Sequence, residues 1–401
     1  MGGITMKQCY DSYKPSGINW IGDIPSHWSV IPVKHVLDNL DYLRQPISAE
    51  DRERNNPKYD YYGASGVIDQ IDFYNVDDTV LLIGEDGANL VMRNLPLIYR
   101  ASGKFWVNNH AHILKPKNGH NYSYLAHLLE AGDYTLFITG SAQPKLSQEN
   151  LNKYPICIPP LAEQEAIAAW LDEKCEEIDA AIAKVDREIE LIDELKQSEI
   201  SRVVTRGLNP DTPLRPSGID WIGDIPEHWE IASFKRSIRI NNGCDYKHVV
   251  ADEGYPVIGS GGQFAYATGY LYDGEVLLLG RKGTIDRPMY FVGKFWTVDT
   301  MFYAVPNKDI CCKYMYYQAL GFPFDYYSTS TALPSMAAND LANNPIAVPP
   351  LSEQQAIADY LDKKCADMDG LKAKLTKKRE TLKELRQSII SEVVTGKRKV
   401  I

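Results

Sequence analysis

One stretch decides the fold of this 401-residue chain. It runs from Pro159 to Gly207, begins PPLAEQEAIAAWLDEKCEEIDAAIAK and closes LKQSEISRVVTRG. Nearly the same text returns from Pro349 to Gly396, as PPLSEQQAIADYLDKKCADMDGLKAK and LRQSIISEVVTG, with an offset of 190 residues that holds as far as the shared VVT. A duplication of this length indicates that one structural unit is used twice.

Each copy has the pattern of one long helix. Apolar residues recur in alternating steps of three and four, the period typical of a coiled-coil seam. Each copy opens with two prolines and closes with a glycine, which are favoured at helix starts and ends. About 45 residues make a rod of roughly 65 to 70 Å. The predicted seam consists of Leu171, Cys175, Ile178, Ile182, Val185, Ile189 and Ile192 in the first copy and Leu361, Cys365, Met368, Leu371, Leu375, Leu382, Leu385, Ile389 and Val393 in the second.

Charge indicates what covers this seam. Residues 159–208 contain 6 Lys and Arg against 13 Asp and Glu, a net charge of −7, whereas residues 349–401 contain 12 against 8, a net charge of +4. The opposite signs predict that the two helices pair with each other within the chain. The alternative is two independent surface helices of a globular domain, for which opposite net charges would not be required.

Length and composition are those of a globular protein of two or three domains. The hydrophobic share of 44% and the charged share of 24% are ordinary. No apolar run is long enough for a membrane span, and the first residues lack the apolar core of a signal peptide, so we expect a cytoplasmic protein. The 7 cysteines are odd in number and none forms CxxC, which favours buried reduced thiols over disulfides or zinc ligands.

A second motif recurs outside the helices. WIGDIPSHW at 20–28 returns as WIGDIPEHW at 221–229. Its Pro, Gly and Trp content predicts a turn-rich segment that packs indole rings on an apolar surface. The alternative is an active site built on Asp23, His27, Asp224 and His228, although no third catalytic group recurs at a fixed spacing.

The middle of each half reads as an αβ module of short strands with glycine-rich turns. VLLIGEDG at 80–87 aligns with VLLLGRKG at 276–283, and KFWV at 104–107 with KFWT at 294–297. The strand positions are shared, but Glu85 and Asp86 stand where Arg281 and Lys282 do. A conserved framework with different loop residues is typical of two modules that bind different ligands. Ordinary sequence drift between duplicated copies would give the same pattern.

Catalytic signatures are absent from the sequence. It has no GxxxxGK[ST], HExxH, paired CxxC, GxSxG or dinucleotide-binding glycine spacing. A nuclease site built from carboxylates stays an alternative, because Asp and Glu are abundant. We therefore expect a non-catalytic chain with no metal site. The net charge of −10 opposes nucleic-acid binding unless basic residues gather on one face or a partner supplies the clamp.

Taken together, the two WIGDIPxHW segments, KFWV and KFWT, and the PPLAEQEAIA and PPLSEQQAIA helix starts resemble the DNA-specificity subunit of type I restriction-modification systems. The resemblance covers the chain after residue 12. It implies two α/β (α+β) target recognition domains separated by two long antiparallel coiled-coil helices, with an internal pseudo-twofold repeat. The expected divisions are 1–158 and 209–348 for the recognition domains and 159–208 and 349–401 for the helices.

The resemblance also implies a function. Each recognition domain would read one half of a split, asymmetric double-stranded DNA target, and the helices would set the unread spacer. The helix pair would dock two methyltransferase subunits, which carry S-adenosylmethionine and methylate adenine. Restriction subunits that use ATP and Mg would join them, and this chain would bind no cofactor. A rival interpretation, which the acidic total favours, is a coiled-coil interaction scaffold with ligand-binding α/β modules and no nucleic-acid role.

Base reading needs hydrogen-bonding side chains on loops that can enter a groove. Arg281 and Lys282 are the strongest choices, because they have no basic counterparts in the first half, whereas recurrence of Lys104 and Lys294 suits a framework or phosphate contact. The predicted DNA-binding residues are Tyr62, Ser65, Arg93, Lys104, Asn108, Asn109, Gln143 and Lys145 in the first module and Ser260, Gln263, Arg281, Lys282, Arg287, Lys294, Ser330 and Thr331 in the second.

Overall fold

The computed structural model describes residues 9–52, 58–140, 144–327 and 334–400. They form two compact units, one of Met1–Val185 with Lys378–Ile401 and one of Asp186–Lys377. Each unit therefore combines one αβ module with parts of both long helices. The divisions expected from the sequence follow the order of elements along the chain and stay a prediction.

The first half of the chain contains twelve strands and four α-helices within the described residues. The strands are β1 Tyr13–Pro15, β2 Asp23–Pro25, β3 Ser29–Pro32, β4 Leu37–Asn39, β5 Tyr59–Gly63, β6 Gly66–Ile71, β7 Val76–Gly84, β8 Ile98–Val107, β9 Ala111–Pro116, β10 Ile138–Thr139, β11 Lys145–Leu146 and β12 Pro155–Ile158. The helices are α1 Gly87–Met92, α2 Tyr122–Ala131, α3 Gln148–Lys153 and α4 Leu161–Arg206, with 3-10 turns at Val33–His35, Asp41–Leu43 and Thr135–Phe137.

The second half follows a similar order. Its strands are β13 Leu214–Pro216, β14 Asp224–Pro226, β15 Glu230–Ser233, β16 Ile238–Asn242, β17 Val250–Ala251, β18 Tyr255–Gly259, β19 Gly262–Ala267, β20 Tyr272–Gly280, β21 Met289–Thr297, β22 Met301–Pro306 and β23 Pro345–Val348. Its helices are α5 Phe234–Ser237, α6 Cys312–Ala319, α7 Phe324–Tyr327, α8 Ala338–Asn343 and α9 Leu351–Val394.

The two modules share one sheet topology. The first sheet has the order β4-β9-β7-β8-β5-β6, and the second has β16-β22-β20-β21-β18-β19 with β17 added at its edge. In each sheet one pair is parallel, with Tyr62 opposite Val107 in the first and Ile258 opposite Thr297 in the second. This common register makes positions in the two modules directly comparable.

The long helices run antiparallel inside each unit. In the second unit Lys196 bonds to Asp369 at 2.7 Å, and Lys372 bonds to Asp193 at 2.6 Å. Residue numbers therefore rise along α4 as they fall along α9. In the first unit the α9 residue Arg386 meets Asp179 of α4 at 2.9 Å. The acidic helix and the basic helix thus make the ion pairs that their charges predict.

The predicted seam is at least half-buried over most of its length, with two corrections. The residues under 10% exposed are Leu171, Cys175, Ile178, Val185, Leu361, Cys365, Met368 and Val393. The half-buried ones are Ile182, Ile189, Ile192, Leu375, Leu382 and Ile389. The assignments of Leu371 and Leu385 are wrong, because these side chains are 49% and 46% exposed. Alternating steps of four and three from Leu361 reach positions 372 and 386, so positions 371 and 385 lie beside the buried stripe.

The helix ends belong to the module cores. In the first unit, Trp28, Tyr124 and Leu171 share one apolar cluster with Val393 near the end of α9. In the second unit, Trp229, Tyr314 and Leu361 do the same with Val203 near the end of α4. All 7 cysteines are free, and burial raises the pKa of Cys157 to about 12. No helix among the described residues is long and apolar enough to cross a membrane.

Candidate nucleic-acid interface

The recurring DIPxHW motif fastens each module to the start of a long helix. His27 Nε2 lies 2.8 Å from Glu163 Oε2, and the indole nitrogen of Trp28 donates to Glu163 Oε1 at 3.0 Å. In the second unit His228 lies 2.9 Å from Glu353. The acceptor carboxylate stands in the first helical turn, where the macrodipole favours negative charge. These contacts give the motif a structural role, and the described residues hold no cluster of three or more groups that could bind a metal.

A buried glutamine strengthens the same junction. Gln164, which is 1% exposed, donates to the carbonyl of Pro159 at 2.9 Å and accepts from the backbone N–H of Asn121 at 2.9 Å. Its counterpart Gln354 makes the same two bonds to Pro349 and Cys311, at 2.8 and 2.9 Å. This glutamine junction is therefore duplicated down to individual hydrogen bonds, whereas the bond from Trp28 to Glu163 is not repeated, since the indole nitrogen of Trp229 has no partner among the described residues.

Loops that are distant in sequence meet at one place in the first module. We define the first loop cluster as residues 62–65, 84–87, 108–110 and 144–146 together with Arg44. Its backbone bonds run from Glu85 N to His110 O at 2.8 Å, from Leu146 N to Glu85 O at 2.9 Å and from Asn108 N to Tyr62 O at 3.0 Å. A Cβ on Gly84 would lie 2.7 Å from the carbonyl oxygen of Ala64, so only glycine fits beside this turn.

Charges in the first loop cluster neutralise each other. Arg44 Nη1 lies 3.0 Å from Glu85 Oε2, and Lys145 Nζ lies 3.3 Å from Glu85 Oε1. Arg44 also donates to the carbonyl oxygen of Asn109 at 3.3 Å. The Glu85 carboxylate thus holds both Arg44 and Lys145. The first loop cluster therefore offers hydrogen-bond acceptors as well as donors to a ligand.

The second module builds the same cluster with different side chains. We define the second loop cluster as residues 258–261, 280–283, 298–300 and 334–336. Arg281 N and Lys282 N both donate to Thr300 O, at 2.8 and 3.2 Å, and Met336 N donates to Arg281 O at 3.0 Å. The Arg281 guanidinium donates to Asp299 O at 3.3 Å and lies 5.8 Å from the centre of the Phe302 ring. Lys282 is exposed.

An arginine reaches the same carbonyl in both clusters, but from different positions in the chain. Asn109 and Asp299 are equivalent, since KFWV and KFWT precede them by the same spacing. The residue that corresponds to Arg44 is Gly243, because the next residue in each module accepts the indole N–H of the KFW tryptophan. A Cβ on Gly243 would lie 2.0 Å from the Val298 carbonyl oxygen, so no side chain fits there. Arg281 supplies the guanidinium instead.

The second cluster also borders an open concavity of about 500 Å³. Tyr246 and Phe264 line it with their rings 5.1 Å apart at 90°, and Phe264 is 54% exposed. Ser260, Asp299 and Thr300 supply polar groups. Exposed aromatic faces beside cations are the features on which nucleobases stack.

A second surface feature recurs in both modules outside the loop clusters. The ammonium of Lys104 lies 4.6 Å from the centre of the Tyr74 ring, and that of Lys294 lies 4.9 Å from the centre of the Tyr270 ring. The Tyr74 hydrogen bond is the main cause that raises the pKa of Lys104. A cation repeated in both modules suits a contact that carries no sequence information, such as one to phosphate.

The structure brings together only some of the predicted DNA-binding residues. The loop clusters contain Tyr62, Ser65, Asn108, Asn109, Lys145, Ser260, Arg281 and Lys282. Of these, Asn108 is 6% exposed and accepts from the backbone N–H of His110 at 2.8 Å, which favours a structural role. Gln263 and Arg287 are exposed. Gln143, Ser330 and Thr331 lie outside the described residues.

Arg93 is engaged elsewhere in the first module. It ends α1 with a left-handed backbone, φ 53°, and its guanidinium donates to the carbonyl oxygens of Glu130 at 2.9 Å, Ala131 at 3.4 Å and Gly132. These carbonyls are at the end of α2, so the contacts favour a helix-capping role for Arg93 over base reading.

Sequence reasoning missed Arg44 in the first loop cluster and two aromatic residues of the concavity beside the second. Arg44 belongs to no repeated motif, and only its replacement by Gly243 in the aligned second half marks the position. Tyr246 and Phe264 fall outside a prediction based on hydrogen bonds to base edges, because they offer aromatic rings for stacking. The signal that was available is that Phe264 stands where the first module has Ile68.

Comparison with known proteins agrees with this architecture. A family model described as type I restriction modification DNA specificity domain matches residues 25–191 and 226–379, which together exceed half of the chain. A Haemophilus influenzae protein provisionally named a type I restriction enzyme specificity subunit is 33% identical over 141 residues, 35% of this chain and 36% of that protein. The MjaX specificity subunit of Methanocaldococcus jannaschii, also provisionally named, is 23% identical over 425 residues, 95% of this chain and 96% of that protein.

A solved structure shows the shared fold. It comes from work on complex assembly and conformational transition of the type I R-M system, with a TM-score of 0.70, 14% sequence identity and coverage of 92% of this chain and 98% of that chain. None of these comparisons supports the rival scaffold interpretation. Because the family model matches both αβ modules and the larger part of each long helix, the chain belongs to the type I restriction modification DNA specificity domain family.

Proposed function

We propose that this chain is the non-catalytic specificity subunit of a type I complex and that its two modules read the two halves of a bipartite, asymmetric DNA target. Two methyltransferase subunits that carry S-adenosylmethionine dock on the helix pair, and restriction subunits that use ATP and Mg complete the assembly. This chain contributes sequence recognition and binds no cofactor itself. We expect the complex to act in the cytoplasm, where its DNA target lies.

One observation carries the proposal: the framework is duplicated, while one turn of the loop clusters changes from acidic to basic. His27 with Glu163 and His228 with Glu353 make the same contact in both units. At the loop clusters, in contrast, the Glu85 and Asp86 pair stands where the second module has Arg281 and Lys282. Two modules of one architecture in which this turn carries opposite charges suit two different base sequences.

The chemistry of the loops indicates what each module prefers. Arginine and lysine pair with the O6 and N7 acceptors of guanine, whereas carboxylates accept from the amino group of cytosine. We therefore expect Arg281 or Lys282 to contact guanine in one half-site. In the other half-site, the first loop cluster combines the Glu85 and Asp86 acceptors with Lys145 as a donor. Because the chain has a net charge of −10, the methyltransferase subunits supply much of the phosphate contact.

Sequencing of methylated adenines tests the proposal. The chain is mixed with the methyltransferase encoded beside it and with random DNA, and modified adenines are mapped with and without the chain. The proposal expects methylation confined to one bipartite sequence and dependent on the chain. Methylation that is unchanged when the chain is omitted would overturn it.

A matched variant assigns the half-sites. Exchanging Arg281 and Lys282 for the Glu and Asp of the first module should change the recognised bases in one half-site and leave the other half-site intact. Simultaneous loss of recognition in both halves, with the variant folded, would contradict independent reading by two modules.

A further inference from the structure

The same hairpin carries an extra residue in both modules. Between β5 and β6, Tyr62 pairs with Val67 and the next pair skips one residue, Ile68. Between β18 and β19 the register shifts in the same way, and the residue that is skipped is Phe264. A β-bulge of this kind bends its strand and re-aims a side chain, and it is common next to functional sites. Both modules therefore re-aim the residue at one equivalent position.

Both bulge residues are large apolar side chains that face solvent. Ile68 is 48% exposed, and Phe264 is 54% exposed. Leaving apolar surface in water forgoes about 25 cal/mol for each Å² that could be buried. A single exposed apolar residue is ordinary. Exposure of a different apolar residue at the same bulge in both copies instead indicates that the position has a shared use.

Each bulge residue lies against the loop cluster of its own module. A Cβ on Gly63 would lie 2.8 Å from Cδ1 of Ile68 and 3.3 Å from the side-chain amide nitrogen of Asn108. A Cβ on Gly259 would lie 3.1 Å from Cε1 of Phe264. Gly63, Asn108 and Gly259 belong to the loop clusters. The apolar side chain therefore borders the polar groups that we propose for base reading.

The Phe264 ring is held in place by its neighbours. The Tyr246 ring stands at 90° to it, with the ring centres 5.1 Å apart, and the Gly259 backbone lies beside it. Ser260 and Thr300 line the same concavity of about 500 Å³. A ring supported in this way offers an apolar surface to a ligand, whereas a wedge that kinks DNA must enter between stacked bases.

The chemistry of the two bulge residues limits what they can contact on DNA. Isoleucine has no ring, so stacking on a base cannot be the role that the two positions share. The major groove presents the methyl group of thymine among its hydrogen-bond donors and acceptors, and apolar side chains recognise that group. In the second module the exposed Gln263 precedes Phe264, and glutamine pairs with adenine, so these neighbours suit an A·T pair.

We infer that Ile68 and Phe264 are specificity-determining residues, each of which contacts the methyl group of a thymine in the half-site read by its module. The inference rests on the proposed function, because it names a chemical group of the DNA that the proposed modules recognise. It adds an apolar contact to the hydrogen bonds of the loop clusters. Each module then prefers thymine at one position for a reason that hydrogen bonding does not supply.

Deoxyuridine tests the inference on the native chain. It differs from thymidine only by the missing methyl group and keeps the same base pairing. The full chain assembled with its methyltransferase subunit is bound to the mapped target, in which the thymines of both strands are replaced one at a time. We expect one position in each half-site at which the replacement weakens binding about fourfold, the effect of one buried methyl group. A half-site in which no replacement weakens binding overturns the inference for its module.

Variants connect each thymine to its residue. Phe264→Ala should weaken binding to the native target, and deoxyuridine in the second half-site should then cost nothing further, while the first half-site keeps its dependence on thymine. Ile68→Ala should give the reverse, and Phe264→Ile, which copies the first module, should keep the dependence. Val292→Ala is the matched control, because Val292 is 56% exposed in the same module but lies outside the second loop cluster. The control should respond to deoxyuridine as the native chain does.

Other uses of these side chains predict different results. If Phe264→Ala weakens binding but keeps the dependence on the thymine methyl group, the ring acts as a wedge or a stacking surface and the inference fails. If folded variants, checked by circular dichroism, do not assemble with the methyltransferase subunit without DNA, the side chains belong to a protein interface and the inference fails. Sequence-specific binding that is insensitive to every methyl group refutes only this inference. Loss of all sequence specificity in the native complex refutes the proposed function and the inference with it.

Discussion

Arg281 offers the sharpest test of base reading. Among the described residues its side chain makes one hydrogen bond, to a backbone carbonyl at 3.3 Å, and lies over the Phe302 ring at 5.8 Å. Replacing it with alanine removes little that holds the module together, so we expect the free energy of unfolding to change by about 0.5 kcal/mol or less. A lost bidentate contact to guanine costs about 1 to 3 kcal/mol, which corresponds to about 5-fold to 150-fold weaker binding.

The assay measures binding of the assembled complex to its mapped DNA target at several salt concentrations. Arg281→Ala should weaken binding, relax discrimination at one base pair and reduce the salt slope by about 1. Lys308→Ala is the matched control, because Lys308 is exposed in the same unit but lies outside the second loop cluster. The control should change affinity by less than about twofold. If Arg281→Ala binds and discriminates as the control does, Arg281 is not a base reader.

Three further predictions follow from the contacts. Leu171→Ala should lower the free energy of unfolding by about 2 to 5 kcal/mol and Leu385→Ala by less than about 1 in denaturant titrations, because the first is fully buried and the second 46% exposed; equal losses would contradict the revised seam. The Arg202 and Tyr360 hydrogen bonds lower the pKa of Glu199 from 4.5 to about 2, so its stabilisation is present above pH 4.5 and lost as the pH falls towards 2. Glu199→Gln should therefore be less stable than the native chain at neutral pH and equal to it near pH 2, and a constant difference would refute this assignment. Lys104→Ala and Lys294→Ala should each weaken binding equally on specific and random DNA and lower the salt slope by about 1, whereas an effect on one sequence alone would make them base readers.

Sequence pattern anticipated the helix pair because periodicity and charge are local properties. Prolines, a closing glycine and the three-four spacing indicate a helix of about 45 residues, and the structure has α4 with 46 residues and α9 with 44. The strands of the modules were readable for the same reason, since alternating apolar runs between glycine turns need no knowledge of the fold.

The loop clusters depend on contacts that no local pattern encodes. Arg44 and Lys145 are 101 positions apart, yet both meet Glu85, and Phe264 becomes a candidate only because Tyr246 and the 298–300 loop surround it. Arg93 was predicted to bind DNA because it is a basic residue in a loop. Its guanidinium instead donates to the backbone carbonyls at the end of α2.

By itself the sequence determined the duplication, the two long helices and the αβ character of the modules, because repeats, apolar periods and turn residues act over short stretches of chain. Only the tertiary structure decided which side chains share the loop clusters, that Leu371 and Leu385 lie off the seam, and that His112 is enclosed between Asp41 and the Leu146 carbonyl. The physical reason is that hydrogen bonds and burial depend on distances between segments, and those distances are set when the sheet and the helices pack.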